Sequence, residues 1–237
     1  MQKTILSTLL FASAVLLPAA RGGAQQLTET MPRMKTTTET PVSLSKLEID
    51  IHVAGGIAYT TYDMLFRNPN SRMLEGNLEI PLSDGESVIG YQLEVNGAMR
   101  SGVVVDKAKA REVFEQIVNR NVDPGLIEKT TGNNYRIRIY PIPAEGYKRV
   151  TVTTQQALRR TTDHGYIYTM PLTGPDKLDN FCLKANVYKQ ALKPEVVSGP
   201  GRNFVFDRQG DVYQAVFESR NYRLEKPLSF ILPEAAE

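Results

Sequence analysis

From Leu47 onward apolar and polar side chains alternate: Leu47, Ile49, Ile51 and Val53 are separated by Glu48, Asp50 and His52. A period of two places each set on its own side of the chain, so the segment reads as a half-buried β-strand. Gly55-Gly56 turns the chain into a second run, Ala58 to Arg67, where Tyr62, Met64 and Phe66 alternate with Asp63 and Leu65. Asn68-Pro69-Asn70 reads as a turn, Asn77 to Leu82 as a short strand, and Ile89, Tyr91, Leu93 and Val95 as the apolar face of the next. Asn96-Gly97 predicts a tight hairpin, because both central residues of a type I′ turn need positive φ. Its return strand should run from Ala98 to Val105. Further along, Tyr135, Ile137 and Ile139 alternate with Arg136 and Arg138, and Val150 and Val152 open another strand. Tyr166 to Met170, Phe181 to Val187, a hairpin from Phe204 to Phe217 turning at Gln209-Gly210, and Leu228 to Leu232 continue the pattern.

One stretch departs from this period. Ala110, Val113, Phe114, Ile117 and Val118 recur at three- and four-residue spacing, which is one face of an amphipathic helix. Asp106 is its natural N-cap, and Lys107, Lys109, Arg111, Glu112, Glu115 and Gln116 cover the polar side. The Asn-rich end and Pro124 terminate it, so the helix is expected over about 106–119. Many short strands with one helix predict a mainly β protein, an antiparallel β-sandwich carrying a single amphipathic helix.

The helix and its flanks carry a resemblance. Gly102, Lys107, Ala110, Phe114 and Glu115, followed by Asp123-Pro124 and Leu126-Ile127-Glu128, resemble the signature of the VIT (vault protein inter-alpha-trypsin) domain. Upstream, Asn68, the Leu78 to Leu82 strand with Pro81, and Val88 to Val95 are similar to the same family. Downstream, Tyr135 to Pro143, with Pro141 and Pro143, and then Lys148-Arg149-Val150 are similar as well. The resemblance spans roughly residues 44–157 and implies a non-catalytic module of secreted or structural assemblies, commonly set before a von Willebrand A-type domain. The Asp-x-Ser-x-Ser metal motif of such A domains has its nearest approach at Asp84-Gly85-Glu86-Ser87, which lacks the pattern. The organisation expected is a signal peptide over 1–24, a flexible leader over 25–43, a VIT-like domain over 44–159, and a β-rich extension over 160–237. The extension either completes the sandwich or forms a second small β domain.

Composition then narrows the compartment and the partners. Lys3 precedes an apolar run from Ile5 to Leu17, Pro18 breaks it, and Gly22-Gly23-Ala24 offers small residues for cleavage before Gln25. That is the form of a secretory signal peptide, too short and wrongly flanked for a membrane span, so an exported protein without an integral membrane segment after cleavage is expected. Cleavage removes Lys3 and Arg21 from the 28 basic residues, leaving them equal in number to the 26 acids. A balanced chain argues against nucleic acid as partner. Residues 25–43, rich in Thr and Glu with two prolines, show no sustained apolar period.

Candidate chemistry is sparse. A nucleophile would pair Cys182, the only cysteine, with His52 or His164, but Phe181-Cys182-Leu183 reads as a strand in which a small thiol is simply packed. Gly-x-Ser-x-Gly and phosphate loops are absent, and two distant histidines do not suggest zinc. Asp176, Asp179 and Asn180 could hold calcium but read better as turn chemistry. Arg136, Arg138, Lys148 and Arg149 fall on two strands taken as neighbours, a possible face for an acidic partner, and Glu128 is placed to pair with Arg136 or Arg138. No cofactor and no catalytic activity are expected. The reading is an exported, non-enzymatic protein-interaction or scaffolding module; the alternative is a secreted carbohydrate-binding or glycoside-hydrolase-like sandwich, in which the 11 Tyr would take the place of Trp.

Overall fold

The computed structural model describes residues 31–38, 40–83, 85–105, 126–130, 132–162 and 165–234. The signal segment and the expected helix at 106–119 lie outside them. The described chain is built of strands in three sheets. The largest runs, in spatial order, β15 (Asp207–Gln209), β16 (Val212–Glu225), β13 (Thr173–Tyr188), β2 (Ser43–Ala54), β3 (Ile57–Arg67), β10 (Tyr147–Ala157), β5 (Glu86–Val95) and β6 (Ala98–Ser101). A five-stranded sheet follows the order β1 (Arg33–Lys35), β4 (Leu74–Pro81), β9 (Asn134–Ile142), β8 (Leu126–Lys129) and β7 (Val103–Val105). The third sheet is β11 (Arg159–Arg160), β12 (Tyr166–Met170), β17 (Leu228–Leu232) and β14 (Glu195–Ser198).

The alternating pattern sets what each strand buries. Leu47, Ile49, Ile51 and Val53 of β2, with Met64 and Phe66 of β3, are at most 1% exposed and face one continuous core. The smaller sheets bury their apolar faces in that core too, through Leu78, Ile80, Ile137 and Ile139 on one side and Tyr168, Met170 and Phe230 on the other. Tyr168 lies against Phe230 with centroids 4.9 Å apart, and its hydroxyl meets Thr60 at 2.8 Å. Tyr62 donates to Met170 Sδ at 3.3 Å, so the buried hydroxyls between β3 and β12 are matched.

Several expectations need correction. The expected purely antiparallel pairing does not hold: β13 pairs parallel with β2, and β7 parallel with β8. A parallel pair requires a crossover connection rather than a hairpin, and the residues between β7 and β8, 106–125, lie outside the described ones. The return strand expected from Ala98 to Val105 is two strands in two sheets, parted at Gly102. There Gly102 N–H donates to Tyr91 O at 3.1 Å, and a Cβ on Gly102 would overlap the Tyr91 ring and hydroxyl. Only glycine lets the chain pass under Tyr91 as it leaves one sheet for the other. Ile89, expected on the apolar face of β5, is 49% exposed instead, while Val88 is buried. The register shift opposite Thr153/Thr154 bulges β5 at this point and turns the side chains over.

The leader expected over 25–43 is also ordered in part. Arg33–Lys35 pairs with Asn77–Glu79 of β4, and Met31, Met34 and Val42 are buried in the core. Its Thr- and Glu-rich composition hid three apolar anchors spaced too widely to show a period.

Candidate interaction surface

The residues marked out by the sequence are scattered by the fold. β9 and β10 belong to different sheets, so Arg136 and Arg138 do not share a surface with Lys148 and Arg149. Lys148 is 4% exposed on the core side of β10, whereas Arg149 points outward. Adjacent strand residues must face opposite ways, and the alternation alone could have separated this pair. Arg136 stands in register between Glu79 of β4 and Glu128 of β8, and it meets Glu79 at 3.7 Å. Arg138 makes a two-pronged contact with Glu75, at 2.5 and 2.8 Å. Those hydrogen bonds hold the Glu75 carboxyl below its ordinary range. Arg149 grips both oxygens of Asp63 on β3. Each of these guanidinium groups is therefore met by a carboxylate on the neighbouring strand, which leaves a neutral ionic ladder rather than a basic patch.

Of the family-signature positions, Gly102 marks the crossing between sheets, Leu126 and Glu128 lie in β8, and Pro141 and Pro143 lie at the end of β9. Lys107, Ala110, Phe114, Asp123 and Pro124 lie outside the described residues. Asn68 is the most connected signature residue. Fully buried, it donates to the carbonyls of Arg72 and Pro143 at 3.0 and 2.8 Å and accepts from Asn70 N–H at 3.0 Å. It ties the loop after β3 to the loop after β9. These roles are structural.

Cys182 lies on the outward side of β13, opposite Glu48 of β2, while His52 stands opposite Asn186. Four register positions separate the thiol from the imidazole, about 13 Å along the strands, which is beyond proton transfer. Burial and the nearby Glu218 carboxylate push the Cys182 thiol above its ordinary range, so it is held as thiol rather than nucleophilic thiolate. Asp176 accepts from Leu44 N–H at 3.1 Å and Asp179 from the Ser45 hydroxyl at 2.7 Å. β2 and β13 both depart from regular register there, and the two carboxylates satisfy donors that the irregularity leaves off the ladder. Among the described residues, no group of three or more His, Cys, Asp or Glu side chains is arranged to hold a metal ion.

The outward side of the eight-stranded sheet carries a polar cluster that the sequence did not disclose. His52 Nε2 meets Asp50 Oδ2 at 3.0 Å, and Nδ1 meets the Tyr188 hydroxyl at 2.7 Å. The Asp50 carboxylate can only accept, so Nε2 carries the hydrogen, and in the neutral ring Nδ1 accepts from Tyr188. Asn186 donates to Asp50 Oδ1 at 3.0 Å, and Gln214 donates to Asn186 Oδ1 at 2.8 Å. The chain of contacts crosses β2, β13 and β16. His52, Asn186 and Gln214 stand in register, and Tyr59 and Gln155 extend the row across five adjacent strands. In sequence each is only the polar half of an alternating strand, and His52 and Tyr188 are 136 residues apart.

Comparison with known proteins follows from this geometry. Residues 44–156 match the family model of the vault protein inter-alpha-trypsin domain. That match runs from β2 through β10. No curated protein matches the sequence. Among solved structures, a candidate nutrient binding protein from Legionella pneumophila is similar with a TM-score of 0.51 and 8% identity, over 86% of this chain and 72% of that one. An M1 zinc metallopeptidase from Deinococcus radiodurans has a TM-score of 0.45 at 10% identity, over 87% of this chain, which spans 45% of the peptidase chain. At 8% identity the first likeness is one of fold. No helix among the described residues is long and apolar enough to cross a membrane.

Proposed function

Residues 44–156 of this chain belong to the vault protein inter-alpha-trypsin domain family, and from that premise we propose that the protein is an exported, non-enzymatic protein-interaction module. The observation that carries the proposal is the family match itself, which covers β2 through β10. Export follows from the Lys3, apolar run and Gly22-Gly23-Ala24 pattern at the start of the chain. The outermost strands of the three sheets, β1, β7, β15, β6, β11 and β14, have two to four residues each, and β15 pairs with only Val212–Gln214 of the 14-residue β16. The ionic ladder of β4 and β9 is neutralised within the molecule. We place the contact on the outward face of the large sheet, where Lys184 of β13 stands opposite Val216 of β16, itself 41% exposed.

The test is affinity capture from envelope extract with the full chain as bait. Lys184→Glu and Val216→Asp should each reduce capture of the same partner at least ten-fold. The paired change of Arg136→Ala and Arg138→Ala should leave it intact. Capture that instead tracks Arg136 and Arg138, or is indifferent to all four positions, rejects this face.

A further inference from the structure

The outward face also holds an aromatic arrangement beside Lys184 and Val216. His52 and Tyr188 have ring planes only 9° apart and centroids 5.7 Å apart, while Nδ1 and the hydroxyl oxygen touch at 2.7 Å. Each of those atoms lies in its own ring plane, so the planes are separated by no more than that bond. Rings stacked one over the other need about 3.5 Å between carbons. The two rings therefore lie side by side in nearly parallel planes rather than one over the other. Tyr59, in register with His52 on β3 and 39% exposed, adds a third aromatic side chain on the other flank. The strip crosses three strands, about 10 Å from β3 to β13 at ordinary strand spacing. Amide side chains border it at Gln155, Asn186 and Gln214, and the hydroxyls of Thr61 and Thr153 adjoin it, 3.2 Å from one another.

We propose that this strip, Tyr59, His52 and Tyr188 with the bordering amides, binds a neutral oligosaccharide. Sugar rings present a flat C–H face to an aromatic surface and a rim of hydroxyls that pair with amides. The strip offers the first through Tyr59, His52 and Tyr188 and the second through the outward Gln155 and Gln214, Asn186 being committed to Asp50 and Gln214, and its length accommodates a disaccharide unit. Its local charge is balanced: the Asp50 carboxylate accepts from both His52 and Asn186, and Lys184 of β13 stands in register with it. That favours an uncharged ligand over an anionic or cationic one. Hydrogen bonds on both sides of His52 hold its ring flat before any ligand arrives, so little ordering entropy remains to be lost on binding. The Asn186 amide, although on the outward side, is only 4% exposed, which fixes the floor of the strip.

The experiment is titration calorimetry of the full chain against maltohexaose, cellohexaose and chitohexaose, with a proline-rich peptide as the competing occupant of an aromatic strip. At least one sugar should bind, Tyr59→Ala and Tyr188→Ala should each weaken it ten-fold or more, and Gln214→Ala several-fold. His52→Phe, which keeps a flat ring, should cost less than His52→Ala. Tyr140→Ala is the control, because Tyr140 is exposed on β9 of the other sheet and should change nothing. Thermal melts identify any variant that fails through folding, and His52→Phe against His52→Ala then carries the comparison. Absence of sugar binding, binding indifferent to Tyr59 and Tyr188, or preference for the peptide overturns the proposal. A negative result leaves the protein-partner reading untouched, since that rests on Lys184 and Val216.

Discussion

Glu86 holds a carboxylate where the fold would be better served by a neutral group. Burial raises its pKa from the ordinary 4.5, against the opposing hydrogen bonds from the Thr154 hydroxyl at 2.7 Å and Ser83 N–H at 3.2 Å. A raised folded-state pKa means that the proton is bound more tightly in the native protein. The stabilisation that the proton brings is full below the unfolded value and is lost as pH rises through the folded one. Glu86→Gln should therefore raise the melting temperature at pH 7, with the gap to the parent closing towards pH 4. The amide keeps both contacts, because Thr154 can accept from its nitrogen while the oxygen still faces Ser83. Equal melting temperatures at pH 7, or a gap that widens on acidification, would contradict this. Glu75 works with the opposite sign: Arg138 lowers its pKa, so its contribution is present above the unfolded value and fades as pH falls. Neither direction could be read from the sequence, where both are acids in polar positions of a strand. Lys148 is the counter-example, since its burial beside an outward Arg149 follows from alternation alone.

At the scale of elements, alternation located the strands well and their sheet membership poorly. The hairpin at Asn96-Gly97 forms as expected, with φ of 52° and 77° at its two central residues, because the turn is decided locally. The end of its return strand was misassigned because Val103–Val105 has the same β-forming composition whichever sheet receives it. Gly102 is where that choice is made. Gly102→Ala should cost roughly 2 kcal/mol or more by forcing a methyl group into the Tyr91 ring. In a Tyr91→Ala background the same change should cost little, and urea unfolding of the four proteins gives the coupling. Simple additivity would mean that the close approach does not hold the crossing. The basic face failed for a related reason. Arg136, Arg138 and Arg149 are outward-facing as expected, but Glu79, Glu75 and Asp63 sit beside them on strands that only the pairing brings near.

On the scale of the molecule, the segment after residue 159 is woven into the same sheet as the family domain. β13 fits against β2 over nine register pairs from Asn180↔Lys46 to Tyr188↔Ala54, and β12 and β17 place Tyr168, Met170 and Phe230 over the core that β3 faces. A fragment of residues 44–159 would leave β2 as an open edge and Thr60, Tyr62 and Met64 uncovered. It should show no cooperative melt and a poorly dispersed amide NMR spectrum, whereas the full chain shows both transition and dispersion. A sharply melting, well-dispersed fragment would establish 160–237 as a dispensable addition.

The amino-acid sequence by itself determined the strands, the Asn96-Gly97 turn and the family, because period, turn chemistry and motif spacing act over short stretches of chain. The tertiary structure alone decided which strands pair, which cations are neutralised, and that His52, Tyr188, Asn186 and Gln214 meet on one face. Those contacts join residues far apart in the chain. Their energies depend on burial and on neighbours that the local pattern does not specify.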